Sequence, residues 1–135
     1  MSEKTPNPTE LNLHQKSRVL EIAFDDGSRF NLPCEYLRVY SPSAEVRGHG
    51  PGQETLQLGK HEVGVRSVDP VGNYAVRIVF DDGHDTGLYT WGYLHELGRM
   101  HAENWQRYLD RLARLGLPYP TPVPSKRRGM GSDGA

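Results

Sequence analysis

Histidine and cysteine are the residues of this chain that could do metal or nucleophilic chemistry, because imidazole and thiolate are the side chains most used for it. There are six histidines and one cysteine, and they form neither an H-E-x-x-H nor a C-x-x-C motif. His101-Ala102-Glu103 fits the H-x-E fragment of some metal enzymes. Side chains two apart on a helix point to different sides, and the P-C-x-x-C partner of the deaminases is missing. We therefore expect His101 to be a packed histidine at the edge of the core.

A cluster of carboxylates around one histidine, Asp81-Asp82-Gly83-His84-Asp85, is the second candidate for metal chemistry. Turn chemistry explains most of it, because Asp and Gly are the residues that tight turns favour. An earlier segment has the same residues, Asp25-Asp26-Gly27, with Ser28 in place of the histidine. We expect a turn here. The alternative is a metal site made of His84, Asp82 and Asp85, with His49 or His61 as further candidate ligands.

Cys34 and a glycine-rich segment complete the search for chemistry. Cys34 stands at the start of a predicted short helix, where the helix dipole could lower the pKa of its thiol. A buried structural cysteine is more common, and nothing in the sequence places a base beside this one. Gly48, Gly50 and Gly52 are not followed by a helical pattern, so a phosphate-binding loop is not expected.

Composition excludes several classes of protein. The chain has 135 residues, enough for one globular domain. Its formal net charge of −1 lacks the positive field that gathers nucleic acid, so we expect no nucleic-acid partner. A single cysteine makes no internal disulfide, which suits a reducing compartment. No window approaches the ~20 apolar residues of a membrane span, and the N-terminal residues lack the apolar region of a signal peptide. We expect a cytoplasmic protein without membrane association.

The elements that must position these residues come from an internal repeat. Residues 19–39 align without a gap on residues 75–95, and each copy begins with alternating apolar residues, the pattern of a half-buried strand. Each copy then has an Asp-Gly pair, Asp26-Gly27 or Asp82-Gly83, that suits a type I′ hairpin turn. A short helix follows in each, over Cys34–Tyr40 and Thr90–Leu97.

Further elements complete an α+β fold. A third strand is predicted over Glu62–Val68, followed by turn residues 69–73, and a weak strand over Glu10–His14. A C-terminal helix over 99–115 is predicted to pack on the sheet, because apolar or aromatic residues recur every three or four positions. These residues are Leu97, His101, Trp105, Tyr108, Leu112 and Leu115. The fold class is therefore a small antiparallel sheet of two hairpin-plus-helix repeats with a C-terminal helix.

Three spans follow from this pattern. Residues 1–9 are predicted to be a flexible tail, residues 10–115 the domain, and residues 116–135 a disordered tail rich in Pro and Gly. Within the domain, the Gly-, Pro- and Ser-rich segment 41–60 is predicted to be a long surface loop.

Four segments in order resemble one known family. They are LPCEYLR (32–38), SPS (41–43), VFDDGHDTGLYTWGYLHEL (79–97) and WQRYLDRL (105–112). Together they resemble the N-terminal domain shared with gamma-butyrobetaine hydroxylase, in the form of the small stand-alone bacterial proteins formerly known only as a domain of unknown function. The resemblance covers roughly residues 10–115.

The resemblance implies a structural zinc site whose ligands are mostly missing here. In the hydroxylase this domain holds zinc through three cysteines and a histidine, which map onto Ser41, Ser43 and Val46, and onto His84. A hydroxyl is a poor substitute for a thiolate and Val46 cannot bind a metal at all, so we expect no cofactor and weak or absent zinc.

The resemblance also implies a role without catalysis. The dioxygenase domain of the hydroxylase would need on the order of 200 further residues, so we do not expect these residues to be an enzyme. The family is also similar to a domain fused to P-loop ATPases that carry iron–sulfur clusters, which suggests an accessory role in iron–sulfur protein maturation, with such an ATPase as the protein partner. The expected contact surface combines the loop and the turn, at Gly48, His49, Gly50, Asp82, His84 and Asp85. The alternative function is metal binding through the His84 hairpin.

Overall fold

The computed structural model describes residues 5–43, 46 and 56–121. The first half of this span forms one hairpin-plus-helix unit. Strands β1 (Pro8–His14), β2 (Val19–Phe24) and β3 (Arg29–Pro33) pair in the order β1-β2-β3, antiparallel throughout. Helix α1 (Cys34–Val39) follows β3 directly, with Pro33 as its N-cap. Proline suits this place because its missing N–H is not needed at a helix start.

The second half repeats this unit. Strands β4 (Val65–Val71), β5 (Ala75–Phe80) and β6 (Leu88–Thr90) form a second antiparallel sheet in the order β4-β5-β6. Helix α2 (Trp91–Arg99) follows β6, and the Thr90 hydroxyl caps it by accepting from the Tyr93 N–H. The α+β fold and the internal repeat are confirmed, and the repeat extends to the strand that precedes each hairpin.

Strand β4 lies further along the chain than predicted. The prediction ended it at Val68, but Asp69 and Pro70 continue the strand, and Pro70 pairs with Val76 of β5. β4 is an edge strand, so one side of it has no neighbouring strand. A proline there loses no ladder hydrogen bond when its nitrogen faces the open side. The tight turn is made by the residues after Val71, where Gly72 has a φ of +58°.

The two hairpin turns differ from the predicted type I′. That turn needs a positive φ at both central residues, but only the glycines have one, +90° at Gly27 and +94° at Gly83. In each turn the glycine N–H donates to the carbonyl of the phenylalanine three residues earlier, Phe24 or Phe80. This pattern is a three-residue loop in which a β-turn is followed by a left-handed glycine that forms a bulge.

The two helices predicted over Thr90–Leu97 and 99–115 are both present, with ends that differ from the prediction by one or two residues. α2 ends at Arg99, and α3 (His101–Arg114) begins after Met100, whose φ of −99° and ψ of 15° interrupt the helix. Gly116 ends α3 with a φ of +70°. The predicted apolar face packs inward through Leu97, Tyr108 and Leu112, whereas Leu115 lies beyond the helix end and is 62% exposed.

One core joins the two sheets. The inward residues of β2 (Leu20, Ile22, Phe24) and of β5 (Val76, Ile78, Phe80) belong to the same buried cluster. Two buried tyrosine hydroxyls fasten the helices to it: Tyr36 donates to the Leu97 carbonyl at 2.7 Å, and Tyr89 donates to the Leu37 carbonyl at 2.6 Å. The repeated units therefore hold their turns and helices in fixed relation.

Parts of the two predicted tails pack on the domain. β1 begins at Pro8, and the Asn7 carbonyl accepts from the Asp25 N–H. After α3, Tyr119 packs against Trp105, and buried Thr121 accepts a hydrogen bond from the Gly59 N–H. The chain up to Thr121 is therefore part of the folded unit.

Candidate functional site

The structure brings Ser41 and Ser43, at the start of the segment predicted to be a loop, against the β5–β6 turn. Residues 44, 45 and 47–55 of that predicted loop lie outside the described residues. Ser41 Oγ lies 2.9 Å from His84 Nε2, and both residues are buried. Ser43 is held beside them, because its N–H donates to Ser41 Oγ and its hydroxyl lies 2.7 Å from Thr86 Oγ1. Val46 is buried as well, with its N–H donating to the Ser43 carbonyl. We call Ser41, Ser43, His84 and Thr86 the hairpin site.

A glycine that the sequence did not single out permits this approach. A Cβ on Gly87 would lie 2.5 Å from Ser41 Oγ and 3.0 Å from the Tyr89 ring. A side chain at position 87 would force Ser41 or the Tyr89 ring to shift, so glycine allows Ser41 to lie against the turn. The sequence around Gly87 has no pattern that marks a close approach.

The side chains at the hairpin site do not suit zinc. Serine hydroxyls are neutral at ordinary pH, Val46 has no donor atom, and His84 Nε2 is engaged with Ser41. Across residues 5–43, 46 and 56–121, no three His, Cys, Asp or Glu side chains come close enough to hold a metal ion. At the position where the resemblance implies a metal, the residues present form buried hydrogen bonds with one another.

Asp82, predicted as a metal ligand or contact residue, is held in a charge network. Its Oδ2 lies 2.9 Å from Arg38 Nε and 2.7 Å from Lys60 Nζ, and its Oδ1 accepts from the His84 N–H. Burial opposes the charge of this carboxylate, but the Lys60 and His84 hydrogen bonds and the Arg38 charge outweigh it and lower its pKa. Asp82 therefore serves to fix the turn to α1 and to residue 60.

Arg38 is the functional-site neighbour that sequence reasoning missed. It lies in the short helix α1, its side chain is only 9% exposed, and it also donates to the Gln57 side chain at 2.9 Å. A buried arginine needs a partner, and Asp82 supplies it. The sequence offered one signal, a charged residue between two apolar residues of a predicted short helix.

Of the other predicted contact residues, one is accessible to solvent and three lie outside the residues that the structure describes. The Asp85 side chain is 48% exposed and lies 3.9 Å from Arg77, across the outer face of the turn. Gly48, His49 and Gly50 lie outside the described residues.

The turns of the two repeats share one hydrogen bond, made by the aspartate before the glycine. Asp26 Oδ1 accepts from the Ser28 N–H and hydroxyl, and its Oδ2 lies 2.8 Å from His95 Nε2. The Ser28 hydrogen bonds lower the pKa of Asp26 to about 2. Both turns therefore use the aspartate before the glycine to accept the N–H two residues on, which confirms that turn chemistry accounts for the Asp-Gly pattern.

Cys34 and His101 are packed residues. Burial raises the pKa of the Cys34 thiol to about 11, so it is not an activated nucleophile. The His101 ring stacks on Tyr36 at 4.3 Å, and burial lowers its pKa. Glu103, the other half of the H-x-E fragment, is exposed.

In residues 5–43, 46 and 56–121, no helix has the length and apolar character needed to cross a membrane.

Comparison with known proteins gives a family and several structures. Residues 11–95 match the family model described as gamma-butyrobetaine hydroxylase-like, N-terminal. A solution structure determined by NMR is 47% identical and covers 96% of this chain and 99% of its own, with a TM-score of 0.74. Another is 42% identical, covers 94% and 99%, and has a TM-score of 0.75.

A crystal structure adds a named relative. It is a protein of unknown function in the DUF971 family from Acidithiobacillus ferrooxidans, 40% identical, covering 68% of this chain and 92% of its own, with a TM-score of 0.58. No curated protein matches the chain. The matched span contains both hairpins, the hairpin site and Arg38. The chain belongs to the family of gamma-butyrobetaine hydroxylase-like N-terminal domains.

Proposed function

We propose that this chain is a non-catalytic protein-interaction module that uses the β5–β6 turn and the neighbouring 41–60 loop as its contact surface. The observation that carries the proposal is the buried Ser41–His84 hydrogen bond, which fixes the start of the loop to the turn. A protein-binding loop needs such a fixed base, because a loop anchored on a rigid scaffold loses less conformational entropy on binding.

The charges around the turn support a polar contact surface. Asp82 is neutralised by Arg38 and Lys60, whereas the Asp85 carboxylate reaches solvent on the outer face. Rim charges of this kind steer a partner and set its orientation. Asp85 is therefore the residue at which a change should affect partner binding while leaving the fold intact.

The partner we propose is a P-loop ATPase that carries iron–sulfur clusters, in an accessory step of iron–sulfur protein maturation. The support is the family resemblance to a domain fused to such ATPases, which is an argument from association. Two domains that occur fused in some proteins often bind each other when they are separate chains. On this proposal the chain contributes a docking surface and no catalytic group.

The alternative, metal binding through the His84 hairpin, has less support. His84 Nε2 is bonded to Ser41, and both oxygens of Asp82 are occupied by protein donors. Of the three proposed ligands, His84 is buried, the Asp82 side chain is 23% exposed and the Asp85 side chain is 48% exposed. A metal would have to displace these contacts before it could bind.

The test is direct binding of the full chain to a purified cluster-carrying P-loop ATPase, measured by titration calorimetry with the ATPase in its cluster-free and cluster-loaded forms. Asp85→Arg, and a variant lacking Gly48 to Gly50, should weaken binding by about tenfold or more. The matched control is Glu103→Arg, the same charge reversal on the exposed face of α3.

The outcome that contradicts the contact surface is full binding by Asp85→Arg and the shortened loop together with loss of binding by Glu103→Arg. Failure of the parent chain to bind either form of the ATPase would overturn the iron–sulfur assignment. Elemental analysis of untagged protein tests the alternative, since metal retained in stoichiometric amount and lost in His84→Ala would favour metal binding.

A further inference from the structure

A cavity of about 180 Å³ lies between α1, α3 and the segment that follows α3, and it shares no residue with the hairpin site. Its lining consists of four rings, one proline and one carboxylate. These residues are Pro33, Glu35, Tyr36, His101, Trp105 and Tyr119. Such a volume is large enough for a side chain of a ligand as well as for water.

The Trp105 ring stands at right angles to two of the other rings, and the His101 ring is stacked on Tyr36. Trp105 is perpendicular to Tyr36, with ring centroids 6.3 Å apart, and perpendicular to Tyr119, with centroids 5.7 Å apart. His101 and Trp105 are four residues apart on α3, so the helix presents them on the same side. The Tyr36 hydroxyl is already bonded to the Leu97 carbonyl and to Asn104 Nδ2, so this residue offers the cavity its ring.

Glu35 is the one charged group of this cavity. Its Oε1 accepts from the Tyr119 hydroxyl at 2.6 Å. Among the described residues no Lys or Arg side chain forms an ion pair with it, and no donor is bonded to its Oε2. Burial raises the pKa of this carboxyl, although the Tyr119 hydrogen bond and the charge of His61 oppose the rise. The carboxylate is thus half-buried without a strong counter-charge.

We propose that this cavity binds an arginine side chain of a protein partner, with the guanidinium stacked on an aromatic wall and hydrogen-bonded to Glu35 Oε2. A guanidinium has two properties that suit this cavity. It stacks on aromatic faces, and its N–H groups match a carboxylate. Burial lowers the pKa of His101, which keeps this ring uncharged at neutral pH and spares the ligand a like charge.

Arginine is favoured over lysine because the walls are apolar. An ammonium is strongly hydrated and loses more on leaving water, whereas a guanidinium is weakly hydrated and already planar. The inference extends the proposed function in naming a chemical group that the partner should present. It does not depend on which protein the partner is, since a single blocked amino acid can test the cavity.

The experiment is an NMR titration of the isotope-labelled full chain with N-acetyl-arginine amide. The isosteric control is N-acetyl-citrulline amide, which keeps the shape and removes the charge, and the second control is N-acetyl-lysine amide. We expect saturable binding in the millimolar range for the arginine probe, followed at the indole N–H of Trp105. The citrulline and lysine probes should bind about tenfold more weakly or not at all.

Two variants separate a ligand site from a structural contact. Glu35→Gln keeps an oxygen that can accept from Tyr119 but removes the charge, so it should lose at least about tenfold in arginine affinity at an unchanged or higher melting temperature. Tyr119→Phe removes the hydroxyl and keeps both the carboxylate and the ring, so it should retain binding. The spectrum of each variant shows whether it is folded.

Equal binding of arginine and citrulline would overturn the proposal, as would full arginine binding by folded Glu35→Gln. Equal loss in Glu35→Gln and Tyr119→Phe would mean that the Glu35–Tyr119 contact serves only to hold the chain end. These outcomes are independent of the ATPase experiment, which concerns Asp85 and residues 48–50.

Discussion

Asp82 illustrates how one residue type serves two roles in this chain. In the first repeat the corresponding Asp26 bonds its own turn and His95, at the surface. In the second repeat Asp82 bonds its turn and, in addition, the buried guanidinium of Arg38. The same turn chemistry therefore provides an anchor for α1 in only one of the two copies.

Removing the Asp82 charge should destabilise the fold. Asp82→Asn keeps the shape of the side chain but leaves the buried Arg38 without an anionic partner, and we expect a loss of roughly 2 to 4 kcal/mol in the free energy of unfolding at pH 7. Urea denaturation measures it. Asp85→Asn is the matched control, because Asp85 is half exposed and its ion pair with Arg77 spans 3.9 Å, so its loss should be within about 0.5 kcal/mol.

The loss of unfolding free energy in Asp82→Asn should shrink as the pH falls. The folded pKa of Asp82 is lowered from its ordinary value of 3.8, so the unfolded chain binds this proton more tightly. The stabilisation is complete above the ordinary value and disappears as the pH falls through the folded pKa. The stability gap between the parent and Asp82→Asn should thus close in acid below about pH 4. A gap that stays constant to pH 2 would contradict this assignment.

At the scale of elements, the two hairpins depend on one backbone angle each. Gly27 and Gly83 have φ values of +90° and +94°, and a Cβ at either position would meet nothing within 4 Å. The cost of a substitution there is therefore conformational, because a β-branched residue is strained at positive φ.

Valine at either glycine should destabilise by about 1 kcal/mol or more. Gly27→Val and Gly83→Val test this by thermal or urea unfolding, with Gly27→Asn and Gly83→Asn as matched controls. Asparagine tolerates a left-handed backbone better than valine does, so the controls should keep more of the parent's stability. Equal stability of the Val variants and the parent would show that these glycines do not need a positive φ.

The elements were predictable where the pattern is local. Alternating apolar residues identified β2 and β5, and the Asp-Gly pairs located both turns. The type of turn was not predictable, since Asp-Gly suits both a type I′ turn and a loop with a glycine bulge. The boundary between the last two helices was predicted at residue 98 but lies at Met100, because Leu97, His101 and Trp105 keep helical spacing across it and do not show where the first helix ends.

The candidate site was only partly predictable, for reasons of distance along the chain. Family resemblance placed Ser41 near His84, and the two lie 2.9 Å apart. The pairing of Arg38 with Asp82 joins residues 44 apart, and no local pattern announces it. The Glu35 cavity needs Tyr119, which falls in a segment that composition predicts as a tail. Tertiary packing of a proline-containing segment leaves no periodic signal.

At the scale of the whole molecule, the fold has its own hydrophobic core, and it has a buried hydrogen bond at the position where the resemblance implies zinc. Inward residues of both sheets pack together, and the loop is fixed to the turn by the buried pair of Ser41 and His84. A core of this kind supplies the free energy that smaller metal-dependent domains obtain from the ion. The stability of the chain should therefore not depend on zinc.

A chelator tests this independence. The melting temperature of the parent should stay within about two degrees on adding EDTA, because neutral hydroxyls at Ser41 and Ser43 and an aliphatic side chain at Val46 cannot compete with water for zinc. The positive control is the triple variant Ser41→Cys, Ser43→Cys and Val46→Cys, which restores the three cysteines that the resemblance implies as zinc ligands together with His84. Its melting temperature should rise with added zinc and fall with EDTA, since an ion that binds only the folded state stabilises it by mass action. A drop of many degrees in the parent on adding EDTA would instead show that a metal holds the loop to the turn in place of the Ser41–His84 hydrogen bond.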